Sequence, residues 1–292
     1  MITGAELEYF QENPGQSIVD FIKKFVAESP VNRLKEFDNA PIFEEPLVGF
    51  ASGDDPLFSE YKKIIGEHHL TPQEAMEKAG KTVGRNLSVV TWVLPIAADT
   101  KKSNRPEKTY PTRRWGHTRF YGEQFNDVLR NATAGMLEGM GYPSVSPVTS
   151  KFFWASVSRG TTNWSERHAL YAAGMGTFGI SDGFITAKGM AMRCGSVVTA
   201  LELPPTTRPY KNHMANCPYV IDGSCGRCLE RCPSGAITKD GHDKSKCMAH
   251  MKSVYDKLHT DFQVEIIGCG LCQTRVPCEM AIPKGKAITA QL

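Results

Sequence analysis

Three thiols within eight residues, followed at once by a proline, stand in the stretch CGRCLERCPSGAI from Cys225 to Ile237. Thiolates at such spacing are ligands for zinc or for iron–sulfur clusters. Eight of the nine cysteines lie between Cys217 and Cys278, and in a reducing compartment that crowding points to metal more than to a disulfide framework. Cys217, Cys225, Cys228 and Cys232 form a group that ends on Pro233. Cys247 forms a second group with Cys269, Cys272 and Cys278 of CGLCQTRVPC. Cys194 stands apart.

A [4Fe–4S] cube takes four thiolates, commonly three from one loop and one from a distant segment. In two-cluster ferredoxins the cysteine before proline serves the other cube. That rule assigns Cys217, Cys225, Cys228 and Cys278 to one cluster, and Cys232, Cys247, Cys269 and Cys272 to the other. Two gaps depart from the simple run. Asp222 occupies the place three residues before Cys225, and the interval from Cys272 to Cys278 is long. The alternative is a zinc-stabilised binding module with two four-cysteine sites. The C-x2-C-x3-C-P run, the PSGAI after it and the uneven gaps favour iron. His213 reads as a loop residue, because eight cysteines already suffice.

Elements must carry these groups. Ile18, Phe21, Ile22 and Phe25 recur at helical spacing in QSIVDFIKKFVAES. Thr71-Pro72-Gln73-Glu74 is a capping box with proline in the first turn. LSVVTWVLP, residues 87–95, reads as a buried strand. Residues 98–117 read as a long polar loop, and long loops are often functional. EQFNDVLRNATAGMLEGMG predicts a helix ending at Gly141, with Phe125, Val128, Leu129 and Met136 on its buried side. PSVSPV is a short strand candidate, and WSERHALYAAG a helix closed by Gly174. CGSVVTALEL, residues 194–203, reads as a strand. Leu203-Pro204-Pro205 marks a boundary, giving an α/β domain over 1–206 and a cysteine-rich domain over 207–292.

At 292 residues the chain is long enough to bury a sizeable core. Its 41% hydrophobic and 22% charged residues are those of a soluble globular protein, and a net charge of +3 is too mild to argue for nucleic acid. The longest apolar run, residues 88–98, is broken by Pro95 and is about half the ~20 residues of a spanning helix. The start, MITGAELEYFQENPG, has neither a basic nor an apolar leader region, so a cytoplasmic protein without membrane contact is expected.

ERHALYAAGMGTFGISDGFIT, GSVVTALELPP, CGRCLERCPSGAI, Cys247 and GCGLCQ follow one another in this order. Together they resemble the epoxyqueuosine reductase family, whose relatives include reductive dehalogenases. The resemblance covers about residues 115–280. It implies an α+β architecture: a nitroreductase-like α/β corrinoid-binding domain followed by a ferredoxin-like domain with two [4Fe–4S] clusters. It implies base-off cobalamin between them, reduced by the clusters to drive reductive removal of oxygen or halogen. An electron donor such as ferredoxin or flavodoxin, and a small-molecule or modified-nucleoside substrate, in that family on tRNA, are implied with it.

The departures are informative. Gly160, within Arg159-Gly160-Thr161-Thr162-Asn163, stands where the family's VDTAP segment supplies an acid, and Phe125-Asn126 replace a Tyr-His pair. Only 14 residues follow Cys278, too few for the additional C-terminal helices of some tRNA-acting members. These differences imply the same chassis with a different substrate or a different proton donor.

On the resemblance, Gly176, Thr177, Phe178, Gly179 and Ser181 are candidates for a corrinoid wall, with Gly195 and Ser196 beside them; taken alone, the glycines read as turns. No DxHxxG-type motif is present, so no lower axial histidine is implied. His168, Tyr121 and Tyr171 are the candidate proton donors, with Arg119 beside Tyr121 if that segment is extended. Cys194 reads as a small core residue or as a group facing the corrinoid. Lys101, Lys102, Arg105, Arg113 and Arg114 read as solvated surface or as a grip on an anion. The leading expectation is a cobalamin-dependent iron–sulfur reductase. A two-cluster electron-transfer protein without its own cobalamin, reducing a partner corrinoid protein, is the second.

Overall fold

A computed structural model describes residues 4–82, 84, 86–156, 160–265 and 268–284. The fold mixes helix and sheet. Helix α1 (Pro14–Glu28) leads to strand β1 (Leu47–Ser52), then to helix α2 (Pro72–Lys78) and strand β2 (Ser88–Pro95). Helices α3 (Ala98–Asn104) and α4 (Arg113–Gly139) follow, with the short strand β3 (Ser144–Val145) and helix α5 (Glu166–Ala172). Strands β4 (Gly176–Phe178) and β5 (Phe184–Thr186) form a hairpin before the long strand β6 (Met192–Thr199).

The main sheet has the order β1-β2-β6-β3, antiparallel throughout. Every residue of β2 is buried, which explains why its sequence is continuously apolar instead of alternating. Val90, Trp92 and Leu94 face a core shared with Ile18 and Ile22 of α1 and with Phe125 and Leu129 of α4. Val89 points the other way, toward Phe58, Tyr61, Met76, Trp164 and Ala169. The sheet is therefore sandwiched between helices. The capping box forms as expected, Thr71 Oγ1 accepting from Glu74 N–H at 3.2 Å and Glu74 Oε2 from Thr71 N–H at 2.8 Å.

Four expectations are corrected. Residues 98–117 are not one loop: α3 occupies its start, and α4 begins at Arg113, capped by Thr112 Oγ1 accepting from Trp115 N–H at 3.2 Å. Lys101 is consequently buried, 3.7 Å from Glu44, and is not part of an exposed basic run. Val128 lies on the exposed side of α4 while Phe125 and Leu129 are buried. Arg119 and Tyr121 are helical, so they do not share a side. The final strand starts at Met192 and stops at Thr199, with Leu201 and Leu203 buried beyond it.

Gly195 of β6 pairs with Trp92 of β2, and a Cβ there would come within 2.3 Å of the indole. The ring cannot retreat freely, since Trp92 Nε1 donates to Asn126 Oδ1 at 2.9 Å in the core. Gly195→Ala is therefore expected to lower stability by about 1–3 kcal/mol through overpacking. An unchanged urea midpoint for that variant would show that the ring shifts without strain.

After Pro204–Pro205 the chain runs along β1, where Thr206 N–H donates to Phe50 O at 2.9 Å. Helices α6 (Pro218–Asp222) and α7 (Arg227–Arg231) precede α8 (Lys244–Phe262), which packs on α4. The segment then returns to the hairpin: Met190 N–H donates to Cys278 O at 2.8 Å.

Candidate functional site

The thiols gather as two sets. Burial pushes the Cys278 thiol well above its ordinary range, and Cys228, Cys225 and Cys217 beside it push it further. Burial likewise lifts Cys228 to about 12, with Cys217 and Cys225 adding to it. Cys269 is lifted to about 11 by burial, with Cys247 and Cys232 as neighbours. Cys272 is raised by burial and then by Cys269, Cys228, Cys247 and Cys232, so the two sets adjoin at Cys272 and Cys228. The raised values describe neutral thiols; ionised together, the four of either set would repel one another unless a cation lay between them. Among the described residues no three His, Cys, Asp or Glu side chains converge as on a single ion.

Local structure presents these sulfurs. Cys217 caps α6, Cys228 lies within α7, and Cys232 ends it. Burial opposes ionisation of Cys232, but the Ser234 hydroxyl and the N–H groups of Ile237, Ser234 and Ala236 outweigh it and hold the thiol below its ordinary range. The PSGAI turn is thus a cradle of donors around one sulfur. Arg231 donates to Leu271 O at 3.2 Å, Thr274 O at 3.0 Å and Glu107 O at 2.7 Å, fastening α7 to the turn that carries Cys272. Buried Glu279 accepts from Arg105 Nε and from Arg275 N–H, fixing the loop of Cys278.

Cys232, Cys247, Cys269 and Cys272 all line one cavity of about 440 Å³. A second cavity of about 780 Å³ lies against it. Gly160, Thr161, Thr162, Arg167, Asp182 and Lys244 line both. The sequence did not single out Asp182 or Lys244. The one signal available was Gly160 itself, which has φ +60° and stands where a Cβ would meet Lys244 Cδ at 2.5 Å. Arg159 lies outside the described residues.

The candidates named from sequence divide between these cavities and the core. Ser181 lines the first cavity; His168, Tyr171 and Phe178 line the second. Tyr121 lines neither, and its ring packs against His117 and Phe120. Burial drives His168 down to about 3, with Arg167 adding to it, so the imidazole is uncharged at neutral pH and shares a 2.7 Å hydrogen bond with the Ser165 hydroxyl. Tyr171 has the Arg208 guanidinium 5.8 Å above its ring. Thr177 is buried, its hydroxyl accepting from Asn216 N–H at 2.9 Å. Gly176 abuts the Ile185 carbonyl and Gly179 packs near Ile185.

Gly195 and Ser196 belong to the sheet, where Ser196 Oγ accepts from Trp164 Nε1 at 2.9 Å. Phe125 and Asn126 are core residues, Asn126 Nδ2 donating to Cys194 O at 2.7 Å. The Cys194 thiol is pushed up to about 11 by burial and packs with Val93 and Leu170. Beneath it, buried Arg130 donates to Glu166 at 2.9 and 2.6 Å, to Glu123 at 2.9 Å and to Asp127 at 2.6 Å.

A corrinoid can be tested against this arrangement. Drug-sized ligands fill about 300–1,000 Å³, and a corrinoid is larger, so one cavity alone does not hold it. The thiol-lined cavity would enclose only part of one, with four thiols on one wall and the methionines Met190, Met248 and Met251 beside them, which leaves the second cavity to another ligand. The glycines do not supply a cradle: a Cβ on Gly183 would strike Met190 Cε at 2.1 Å, so its smallness serves internal packing. The fit rests on the thiol-lined cavity.

No helix among the described residues is long and apolar enough to cross a membrane. No family model matches the chain. It is similar to the epoxyqueuosine reductase of Lactococcus garvieae, 24% identical over 285 residues that cover 91% of this chain and 71% of that protein. The Bacillus anthracis epoxyqueuosine reductase is 27% identical over 250 residues, 79% of this chain and 60% of that one. A crystal structure of selenomethionine-labelled epoxyqueuosine reductase superposes with a TM-score of 0.53 at 18% identity, covering 94% of this chain and 66% of that one. The fold is therefore shared. The chain spans about 60% of the Bacillus relative and somewhat more of the other two.

Proposed function

We propose that this relative of the epoxyqueuosine reductases is an iron–sulfur reductase that passes electrons through two [4Fe–4S] clusters to a corrinoid. Cys217, Cys225, Cys228 and Cys278 would hold one cluster, and Cys232, Cys247, Cys269 and Cys272 the other. The observation that carries the reading is that all four thiols of the second set line one cavity. Electrons from a ferredoxin- or flavodoxin-type donor enter at the first set and leave by the second. Residues 1–206 form the nitroreductase-like domain and residues 207–292 the ferredoxin-like one, in a cytoplasmic enzyme.

Bound base-off cobalamin supplies a low-valent cobalt able to cleave a carbon–oxygen or carbon–halogen bond reductively. Ser181, Met190 and Met248 would line its seat, beside the cluster that the second thiol set would hold. The protein's part is to exclude water, place the substrate in the adjoining cavity and deliver a proton. Among the three candidate donors, Tyr171 lines that cavity and carries a phenolic O–H. His168 orients its neighbours through Ser165 and Phe178.

A second reading, a two-cluster carrier without its own cobalamin, is favoured by Lys244 lying across the partition between the cavities and by glycines used for internal packing. Iron and corrinoid analysis decides between them. Protein purified without oxygen and incubated with cobalamin is expected to hold about eight irons and to show a broad band near roughly 400 nm that bleaches on reduction. It should also retain one corrinoid through gel filtration. Full iron with no corrinoid supports the carrier, and a colourless zinc protein overturns both.

A further inference from the structure

The second cavity has a chemical character of its own. Its wall is aromatic: Phe178 lies 4.9 Å from the His168 ring and 6.4 Å from the Tyr171 ring, with Tyr61 4.8 Å from His168. Leu57, Ile64 and Ile65 extend this apolar side, and Ile64 is 68% exposed. Its charged side chains are Arg167, Lys211, Lys244 and a single carboxylate, Asp182, among the described residues. That carboxylate is committed, with His242 Nδ1 3.1 Å from Asp182 Oδ2. Arg167 donates to the Asp182 carbonyl.

Lys244 is the least committed of the cations at the partition. Its Nζ donates to Gly160 O at 3.4 Å, and its charge helps hold the Asp182 carboxyl below its ordinary range. Its stem crosses Gly160 because that residue has no Cβ; a Cβ would stand 2.5 Å from Lys244 Cδ. The side chain that Gly160 lacks thus leaves room for a cation from another segment, at the boundary between the thiol-lined cavity and the aromatic one.

We infer that the aromatic cavity binds the substrate, that the substrate is a small aromatic anion, and that Lys244 and Arg167 hold its charged group at the Gly160 partition while its ring lies along Phe178 and Tyr171. This assignment rests on the reductase reading for the word substrate; the binding itself does not. A ring fits the aromatic wall, and charge-assisted hydrogen bonds to an oxyanion are about twice as strong as neutral ones. The partition also places the ligand's polar end toward the second thiol set, where electrons emerge.

Calorimetry on the anaerobically purified holoprotein tests it with three probes: phenyl phosphate, phenol and inorganic phosphate. Phenyl phosphate is expected to bind at least about tenfold tighter than either fragment, equivalent to about 1.4 kcal/mol. Lys244→Ala is expected to weaken it about fivefold or more, and Lys244→Arg to stay within about twofold, since the charge is kept. Gly160→Asp, which sets a carboxylate against Lys244, should weaken it as Lys244→Ala does. Iron content of each variant reports whether it is folded.

Phenyl phosphate binding no tighter than phosphate, or unaltered by Lys244→Ala, would overturn the inference. So would bulk tRNA displacing phenyl phosphate with the same dependence on Lys244 and higher affinity. If phenyl phosphate binds as expected but no corrinoid is retained, the cobalamin reading fails and the anion site stands. If iron and corrinoid are both present and phenyl phosphate does not bind, the anion site fails alone.

Discussion

Cys272→Ala is expected to lose about half of the iron, from about eight to about four atoms per chain, and all reductase activity. Cys272 is the most deeply set thiol of its group and adjoins both sets, with Cys269, Cys247, Cys232 and Cys228 around it. Without it the proposed second cube would lack a ligand at the wall of the cavity, while the four thiols of the first set would remain. The visible band should fall by about half and the remaining cluster should still bleach on reduction. Cys194→Ala serves as the comparison: its thiol packs with Val93 and Leu170, apart from both sets, and the iron should not change. Equal iron in Cys272→Ala and the parent protein would remove Cys272 from the ligand set. Loss of all iron would mean that the two sets assemble only together.

Arg130→Met is expected to destabilise the fold by about 3–5 kcal/mol, the cost typical of leaving a buried charge without its partner. The Arg130 side chain is 1% exposed and Glu166 11% exposed, so neither can turn to water. Burial already raises the Glu166 carboxyl, against which Arg130 is the principal counterweight. Asp127 is half exposed and can be solvated, and Glu123 also meets Arg193. The burden of the substitution therefore falls on Glu166. Arg130→Met combined with Glu166→Gln should be less destabilised than the sum of the single variants, because the second change removes the stranded charge. Urea unfolding of the four proteins of this cycle supplies the test, and simple additivity would contradict the pairing.

Where the signal was local, the sequence was readable. Thr71 and Glu74 sit three residues apart, and their reciprocal bonds need nothing from the rest of the fold. The continuous apolar run of β2 announced a strand covered on both faces. The spacing also brings Cys228, Cys225 and Cys217 near Cys278, and Cys247 and Cys232 near Cys269. What failed depended on tertiary packing. Residues 98–104 carry no apolar stripe, yet they form a helix in which Thr100, Lys101 and Asn104 are buried. Gly116 and Gly122 lower helix propensity in residues 113–122, but there they admit Phe262 and Phe43 against the helix. The conjunction of Gly160 with Lys244 joins segments 84 residues apart, and no periodicity announces it.

The crossing of the two thiol sets has a consequence for biosynthesis. Each set draws on both sides of α8: three sulfurs of the first precede it and Cys278 follows, while the second combines Cys232 and Cys247 with Cys269 and Cys272. With this arrangement no truncated nascent chain ending within α8 can present four ligands to any cluster. If the two sets hold clusters as proposed, one could not be completed before Cys272 is synthesised, nor the other before Cys278. By then the strands and helices that precede α8 have all been synthesised. On the proposed ligand sets, metal insertion would be a late event, acting on a scaffold that is nearly complete.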